Sequence, residues 1–290
     1  MQLSREINPL VVNIFLAKPH SPFTKRQIQK LLFKLKQELP ENDYLQRVLP
    51  YYWYDNGPFS EIVANSITQL TRGERIRQID ADGYKLLELN RSKVQQGEVA
   101  IEREIRDALE IILAEHDTSH PQPLIDEVYW KYAPREFIPL FAIEFQRAFH
   151  QHMVTKNIEK ILSLEDVLYK CEAALPLEPF FESYNELFSL FVSYTALLFD
   201  KAREGGRNVG FSRTDRVAGS LWARFAKGVR VLPDGHDGFY DNRLRGWLSG
   251  FKKETREKLR LKVNEYILHV TKCTTSQASL KPAFLDTLSI

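Results

Sequence analysis

The chemically richest stretch of the chain is Val229–Trp247 (VRVLPDGHDGFYDNRLRGW), where His236, Asp237, Asp241 and Arg243 fall close together. An imidazole beside a carboxylate is the pattern of a general base or a metal ligand. The same residues also read as two turns, Asp234-Gly235 and Asp237-Gly238, with Asp241 or Asn242 capping the helix that follows. The turn reading is preferred, because a hydrolytic metal site needs further ligands at helical or strand spacing and no second cluster occurs in the sequence. His150 and His152 lie two apart on a predicted helix and so point to different sides. His116 and His120 fall at a helix end and are expected in solvent.

Other catalytic patterns are missing from the sequence. It has no Gly-rich phosphate loop followed by Lys-Ser/Thr, no Gly-x-Ser-x-Gly, no His-Glu-x-x-His and no Cys-x-x-Cys. The two cysteines, Cys171 and Cys273, lack metal-ligand spacing and are expected as reduced thiols. Nuclease chemistry of the Asp…Glu-x-Lys type normally sits on a central sheet, and residues 97–272 show no alternating strands. The expectation is a protein that is not an enzyme, with no metal and no cofactor.

Charge is the stronger signal. The net charge of +2 hides three blocks: +4 over residues 1–96, −11 over 97–200 and +9 over 201–272. Such segregation suits two basic surfaces that touch nucleic acid on either side of an acidic body. It also suits acidic and basic helices that pair with each other inside the fold. The candidate phosphate contacts are Lys25, Arg26, Lys30 and Lys34 on a second helix, Arg72, Arg75, Arg77 and Lys85 around a hairpin, and Lys252, Lys253, Arg256 and Arg260 in a basic string near the end. In that string the Glu254 to Lys258 spacing supports an exposed helix.

These residues need elements to hold them. Pro9 to Ala17 reads as a short apolar helix. Phe23 to Leu39 reads as an amphipathic one, with Ile28, Leu31, Leu32, Leu35 and Leu39 on one face, Lys and Arg on the other, Thr24 as cap and Pro40 as stop. Tyr51 to Ser60 (YYWYDNGPFS) is an aromatic strand that turns at Gly57, with Pro58 suited to the first turn of the next helix. In the strand Tyr52 and Tyr54 alternate against Trp53. Ile62, Val63, Ile67 and Leu70 then have helical spacing, up to a stop at Gly73. Residues 75–79 and 84–89 form a hairpin around an Asp-Gly turn. This order predicts an N-terminal winged helix-turn-helix with a small β-wing over residues 1–96.

The string Tyr52, Trp53, Tyr54, Gly57, Pro58, Phe59 and Ser60, placed after a Lys-rich helix and before a helix and hairpin, resembles prokaryotic winged-helix families of the Panacea antitoxin and YwgA-like kind. The likeness covers the first third of the chain. It implies a regulatory, toxin-neutralising or defence-associated protein, and it brings no catalytic motif. The long remainder has no counterpart in the compact single-domain members of those families.

That remainder predicts an all-helical domain over residues 97–272, so the chain as a whole is mainly α. Its helices run over 98–116, 124–132, 135–152, 163–175 with Ser163 as cap, 178–203, 212–229 and 242–272. Residues 178–203 are apolar on more than one face, which predicts burial on several sides. Residues 273–290 read as a frayed C-terminal tail. No apolar run reaches a bilayer span, and Arg5-Glu6 and Asn8-Pro9 interrupt any apolar leader, so no membrane and a cytoplasmic location are expected. Together these features predict a DNA-associated or adaptor subunit of a prokaryotic, antiviral-defence type complex. Its partners would be a larger catalytic or ATPase protein and double-stranded DNA held through backbone contacts. The alternative is a free-standing winged-helix transcriptional regulator or antitoxin. The third helix favours the first reading, because residues 60–72 carry one cation and an acid at the front.

Overall fold

The computed structural model describes residues 2–41, 43–81, 83–95, 99–116, 120–205 and 210–275. The fold is mainly helical, with two small two-stranded sheets among the described residues, and it forms two compact units. Unit 1 comprises Met1–Pro134 and Val229–Trp247, and unit 2 comprises Arg135–Gly228 and Leu248–Ile290. The boundary expected at residue 96 is thereby corrected. The helices over residues 103–132 close the core of the N-terminal unit, and the His236 segment returns to it from far along the chain.

Unit 1 contains α1 (Gln2–Ala17), α2 (Lys25–Glu38), α3 (Tyr44–Val48), β1 (Tyr52–Tyr54), β2 (Gly57–Phe59), α4 (Glu61–Arg72), β3 (Ile76–Ala81), β4 (Tyr84–Leu89), α5 (Arg103–Glu115) and α6 (Gln122–Tyr132). Thr24 starts α2 through a capping box, its hydroxyl accepting from the Gln27 N–H while the Gln27 side chain accepts from the Thr24 N–H. Every residue from Gln27 to Lys36 is buried. The helix therefore has no solvated face over those ten residues, which corrects the amphipathic reading. It packs against α4, α5, α6 and β2, and it is the axis of the unit.

The aromatic elbow also differs from expectation. Pro58 does not open a helix; it sits in β2, opposite Trp53, with Tyr52 opposite Phe59 and Tyr54 opposite Gly57. A residue without an N–H is tolerated on an edge strand of this kind. Gly57 supplies the bend at φ +80°, and Ser60 caps α4 by accepting from the Val63 N–H. Val63, Ser66, Ile67 and Leu70 face inward from α4. The β3–β4 hairpin pairs Ile76 with Leu89 through Ala81 with Tyr84, and Phe23 exchanges two backbone hydrogen bonds with Leu87. Gly83 of its turn has φ +79°, whereas Asp82 lies outside the described residues.

Unit 2 begins with one long helical stretch, α7 (Phe137–Pro139), a π-helical section (Leu140–Arg147) and α8 (Ala148–Val154). It continues with α9 (Ile158–Leu162), α10 (Glu165–Ala173), α11 (Glu182–Arg203), α12 (Phe211–Val229), α13 (Leu244–Glu254), a second π-helical section (Thr255–Leu259) and α14 (Arg260–Thr275). Phe137, Phe141, Phe145 and Phe149 form a ladder with ring centroids 5.1, 5.6 and 5.5 Å apart. A four-residue spacing drifts by about 40° per step in an α-helix, and the wider π section counters that drift. The ladder meets Phe188 and Phe191 of α11. The buried residues of α11, Tyr184, Leu187, Phe188, Phe191, Val192, Thr195, Leu198 and Phe199, share one face while Leu190 and Leu197 are exposed, which corrects the expectation of burial on several sides.

Two local expectations fail in this unit. Ser163 does not cap α10; its hydroxyl donates to the Lys160 carbonyl and closes α9 instead. The tail does not begin at residue 273, because α14 runs to Thr275 with its threonine hydroxyls donating to carbonyls one turn back. Residues 276–290 lie outside the described residues. No helix among the described residues is long and apolar enough to cross a membrane.

Candidate functional site

The His236 segment and the aromatic elbow, 180 residues apart in sequence, meet in unit 1. The Trp53 N–H donates to the Gly235 carbonyl and the Asp237 N–H to the Tyr51 carbonyl, both at 2.8 Å, so the segment adds a rung on the open side of β1. The Asp237 carboxylate accepts from the Tyr51 N–H at 2.5 Å and from the buried Lys36 Nζ at 2.7 Å. Lys36 also donates to the Leu49 carbonyl at 3.0 Å. Around this join, Tyr52 packs on Tyr240 and Trp247, and the Arg230 guanidinium lies 4.6 Å from the Trp247 ring centroid. Trp53 points the other way, onto Tyr129, so the predicted alternation holds. Burial, then the Glu61 carboxylate, pushes the Tyr52 hydroxyl up to about 12.

His236 is engaged at both ring nitrogens. Nδ1 lies 2.8 Å from the Leu232 carbonyl and Nε2 lies 3.1 Å from Asp241 Oδ1. Each ring nitrogen is thus turned to a protein oxygen. Arg243 is drawn to Glu61 at the start of α4. The cluster read from the sequence is thus real in space, but its members tie a loop to a strand. Asp241 serves His236 rather than a helix cap.

The cations of α2 are placed unexpectedly. Lys34 is buried, and its Nζ reaches Glu115 at 2.8 Å and Glu127 at 2.9 Å. Burial alone lowers its pKa, but these two hydrogen-bonded carboxylates outweigh it and hold Lys34 above its ordinary value. His116 joins the same cluster, 3.1 Å from Lys34 Nζ, rather than standing in solvent. Burial first, then the Lys34 ammonium, pushes His116 below its ordinary pKa. Lys30 is 2 % exposed and donates to the Pro58 carbonyl at 2.8 Å. Phosphate contact through Lys30 and Lys34 is therefore corrected, since both ammoniums are enclosed by the unit that α2 organises.

The remaining predicted contacts are mostly at the surface. Lys25, Arg26, Arg72, Arg77 and Lys85 are exposed in unit 1, and Arg75 is half-buried. Arg77 pairs with Glu88 at 2.8 Å. In unit 2, Lys252, Lys253, Arg256 and Arg260 are exposed, with Arg260 3.9 Å from Glu186. Part of the charge segregation is settled internally, since Lys34 pairs with Glu115 and Glu127, and Arg203 pairs with Glu165.

A second arrangement in unit 2 was not anticipated. Residues of α12 and α14 line a groove of about 510 Å³. Arg213 and Arg216 come from α12, Lys262 and Lys272 from α14, and Glu265 is the single carboxylate among the lining residues. All four cations are exposed. Lys262 donates to the Ser220 hydroxyl at 2.9 Å across the groove. Beneath lies Tyr266, buried, its hydroxyl 2.9 Å from Thr195 Oγ1 and 3.0 Å from Thr214 Oγ1. His269 lines the wall, and burial, Arg213 and Lys272, in that order, push its pKa below the ordinary value. Gly210 is pressed against that ring, since a Cβ there would fall 1.8 Å from His269 Nε2. The signal was present in the sequence as Arg213/Arg216/Ser220 and Lys262/Glu265/His269/Lys272, spaced three and four apart within the +9 block. Only the pairing of the two helices turns those stripes into one groove.

No protein-family model, curated protein or solved structure matches this chain. The likeness to Panacea and YwgA-like proteins rests on residues 52–60 and the order of elements around them.

Proposed function

We propose that the protein is a non-enzymatic, DNA-associated subunit of a prokaryotic multi-protein assembly, in which the α12–α14 groove holds nucleic-acid backbone. The observation that carries the reading is that groove, with four exposed cations against one carboxylate. Lys262 to Lys272 spans about 15 Å of helix. At one phosphate per 3.4 Å of each strand, that length matches about four phosphates. The full commitment of His236 and Asp237 to the loop–strand join supports a binding role over a hydrolytic one.

The N-terminal unit is read as a winged helix. Support comes from the succession of α1, α2, α4 and the β3–β4 hairpin, and from the Phe23 rung on β4. The exposed positions of α4 are Asn65, Thr68, Thr71 and Arg72, with half-buried Glu61 at its start. One cation behind a leading acid is poor for major-groove reading, which favours a docking module over an operator-binding one.

Fluorescence anisotropy of labelled duplexes at several salt concentrations tests the reading. We expect dissociation constants in the range of about 10⁻⁴–10⁻⁶ M that barely depend on sequence, and a log K against log salt slope near −3.6 for about four contacts. Replacing both Arg216 and Lys262 by Gln lowers that slope by about 1.8. Occupancy by phosphate also raises the His269 pKa, because an anion offsets the field of Arg213 and Lys272. A flat salt dependence, or nanomolar affinity for one operator at physiological salt, refutes the proposal.

A further inference from the structure

We infer that unit 1 carries a binding site for a small organic carboxylate, beneath the Gly57-Pro58 bend, with the Lys30 ammonium as its counter-ion. Three lysines of α2, Lys30, Lys34 and Lys36, are buried to a similar depth, at 2, 4 and 4 % exposure. Two of them have acids: Glu115 and Glu127 meet Lys34, and Asp237 meets Lys36. Lys30 has none. Among the described residues its only hydrogen-bond partner is the Pro58 carbonyl, whereas an ammonium has three N–H groups to place. A buried charge normally keeps a partner.

What lies beside Lys30 is a cavity of about 330 Å³, of which Lys30 itself forms part of the wall. Its other walls join apolar Tyr54, Pro58, Phe59, Ala64 and Ile67 to polar Asn56 and Thr68, and no carboxylate among the described residues lines it. Exposed Lys25 and Arg26 stand at the same cavity and add to its positive potential. Gln29 cannot supply a free polar group, because its amide already donates to the Ser60 carbonyl and accepts from the Ser60 N–H. Gly57 keeps the space open: a Cβ at that position would stand 3.2 Å from Lys30 Nζ and 2.7 Å from the Tyr129 ring. Burial, with Arg26 as a second cause, drives the Lys30 pKa well below its ordinary value. An anion entering the cavity opposes that shift by its charge and favours a proton on Nζ.

The volume is at the small end of ligand pockets. One buried point charge and apolar walls suit a monoanion on an aliphatic or aromatic body. A phosphate, with several oxygens to satisfy, is matched less well, since Lys30 alone among the lining cations is buried while Lys25 and Arg26 are exposed. The site is independent of the groove in unit 2, and it stands or falls without nucleic-acid binding.

Isothermal titration calorimetry of the full chain with benzoate and hexanoate, against benzamide and inorganic phosphate, tests the site. Repeating the titration in two buffers of different ionisation enthalpy reads the proton. The expected result is saturable binding of a carboxylate with proton uptake, at least tenfold weaker binding of benzamide and phosphate, and at least tenfold loss in Lys30→Met. That variant removes an uncompensated buried amine and is expected to melt no lower than the parent. Should it fail to fold, Ala64→Leu, which fills the same cavity from α4 and keeps Lys30, is read instead and is expected to lose at least tenfold in benzoate affinity. No carboxylate binding, equal binding of phosphate, or undiminished binding by folded Lys30→Met or Ala64→Leu overturns the inference.

Discussion

Replacing Asp237 by Ala separates a structural role from a catalytic one. The substitution strips the buried Lys36 of its carboxylate, leaving only the Leu49 carbonyl, and it orphans the Tyr51 N–H. Breaking a buried ion pair from one side costs about 3–5 kcal/mol, and a lost partner for a buried N–H about 1–3 kcal/mol. The Asp237 side chain is 40 % exposed, so water offsets part of both losses. A net loss of about 3 kcal/mol follows for unit 1. With a urea m-value near 2 kcal/mol/M, the unfolding midpoint falls by about 1.5 M. Tryptophan fluorescence is the suitable probe, since Trp53, Trp130 and Trp247 lie in unit 1 and Trp222 alone in unit 2. Asp241→Ala is the control: its carboxylate is 69 % exposed and touches His236 alone among the described residues, so its midpoint moves by less than about 0.3 M. If Asp237→Ala unfolds within about 0.3 M of the parent, or Asp241→Ala shifts as far, the join does not hold the elbow as described.

Three further outcomes follow from the same physics. Arg224, then Lys227, holds the Glu254 carboxyl down to about 2, below its unfolded value near 4.3. Its stabilisation is full above about pH 4.3 and disappears as pH falls toward 2, so Glu254→Gln flattens the acid limb of stability in that window, read by circular dichroism. Gly57→Ala forces a side chain into positive φ and against the Tyr129 ring, costing at least about 2 kcal/mol in chemical unfolding. Tyr266→Phe removes a hydroxyl shared by two buried threonines and costs about 1–3 kcal/mol, measured by thermal melting of the full chain.

Most helices of the chain were legible from spacing and caps. Thr24 announces α2, Gly73 ends α4, and the apolar face of α5 follows from Ile105, Leu109, Ile112 and Leu113, whereas the Ser60 cap of α4 and the Gln27 half of the α2 capping box emerge only in the structure. These signals are local, since a cap bonds within its own turn and an apolar stripe repeats every 3.6 residues. The Gly57-Pro58 step was misread for an equally physical reason. Its dihedral preferences suit a helix start or a strand bend, and the partner that chooses between them is β1 with the returning Gly235 loop.

Which charges are buried was not legible, although the charge blocks allowed for internal pairing. Lys30, Lys34 and Lys36 read as a solvated stripe, because Lys next to Leu at helical spacing is the usual mark of a surface helix. Whether such a stripe is solvated depends on what covers it, and Glu115, Glu127 and Asp237 come from three distant segments. The sequence by itself determined most of the helices, the Thr24 cap, the hairpin and the excess of positive charge after residue 200. Only the tertiary structure decided which cations meet carboxylates, which line the α12–α14 groove, and that Lys30 is enclosed without an acid. Hydrogen-bonded turns depend on neighbours in the chain, whereas desolvation and Coulomb partners depend on neighbours in space.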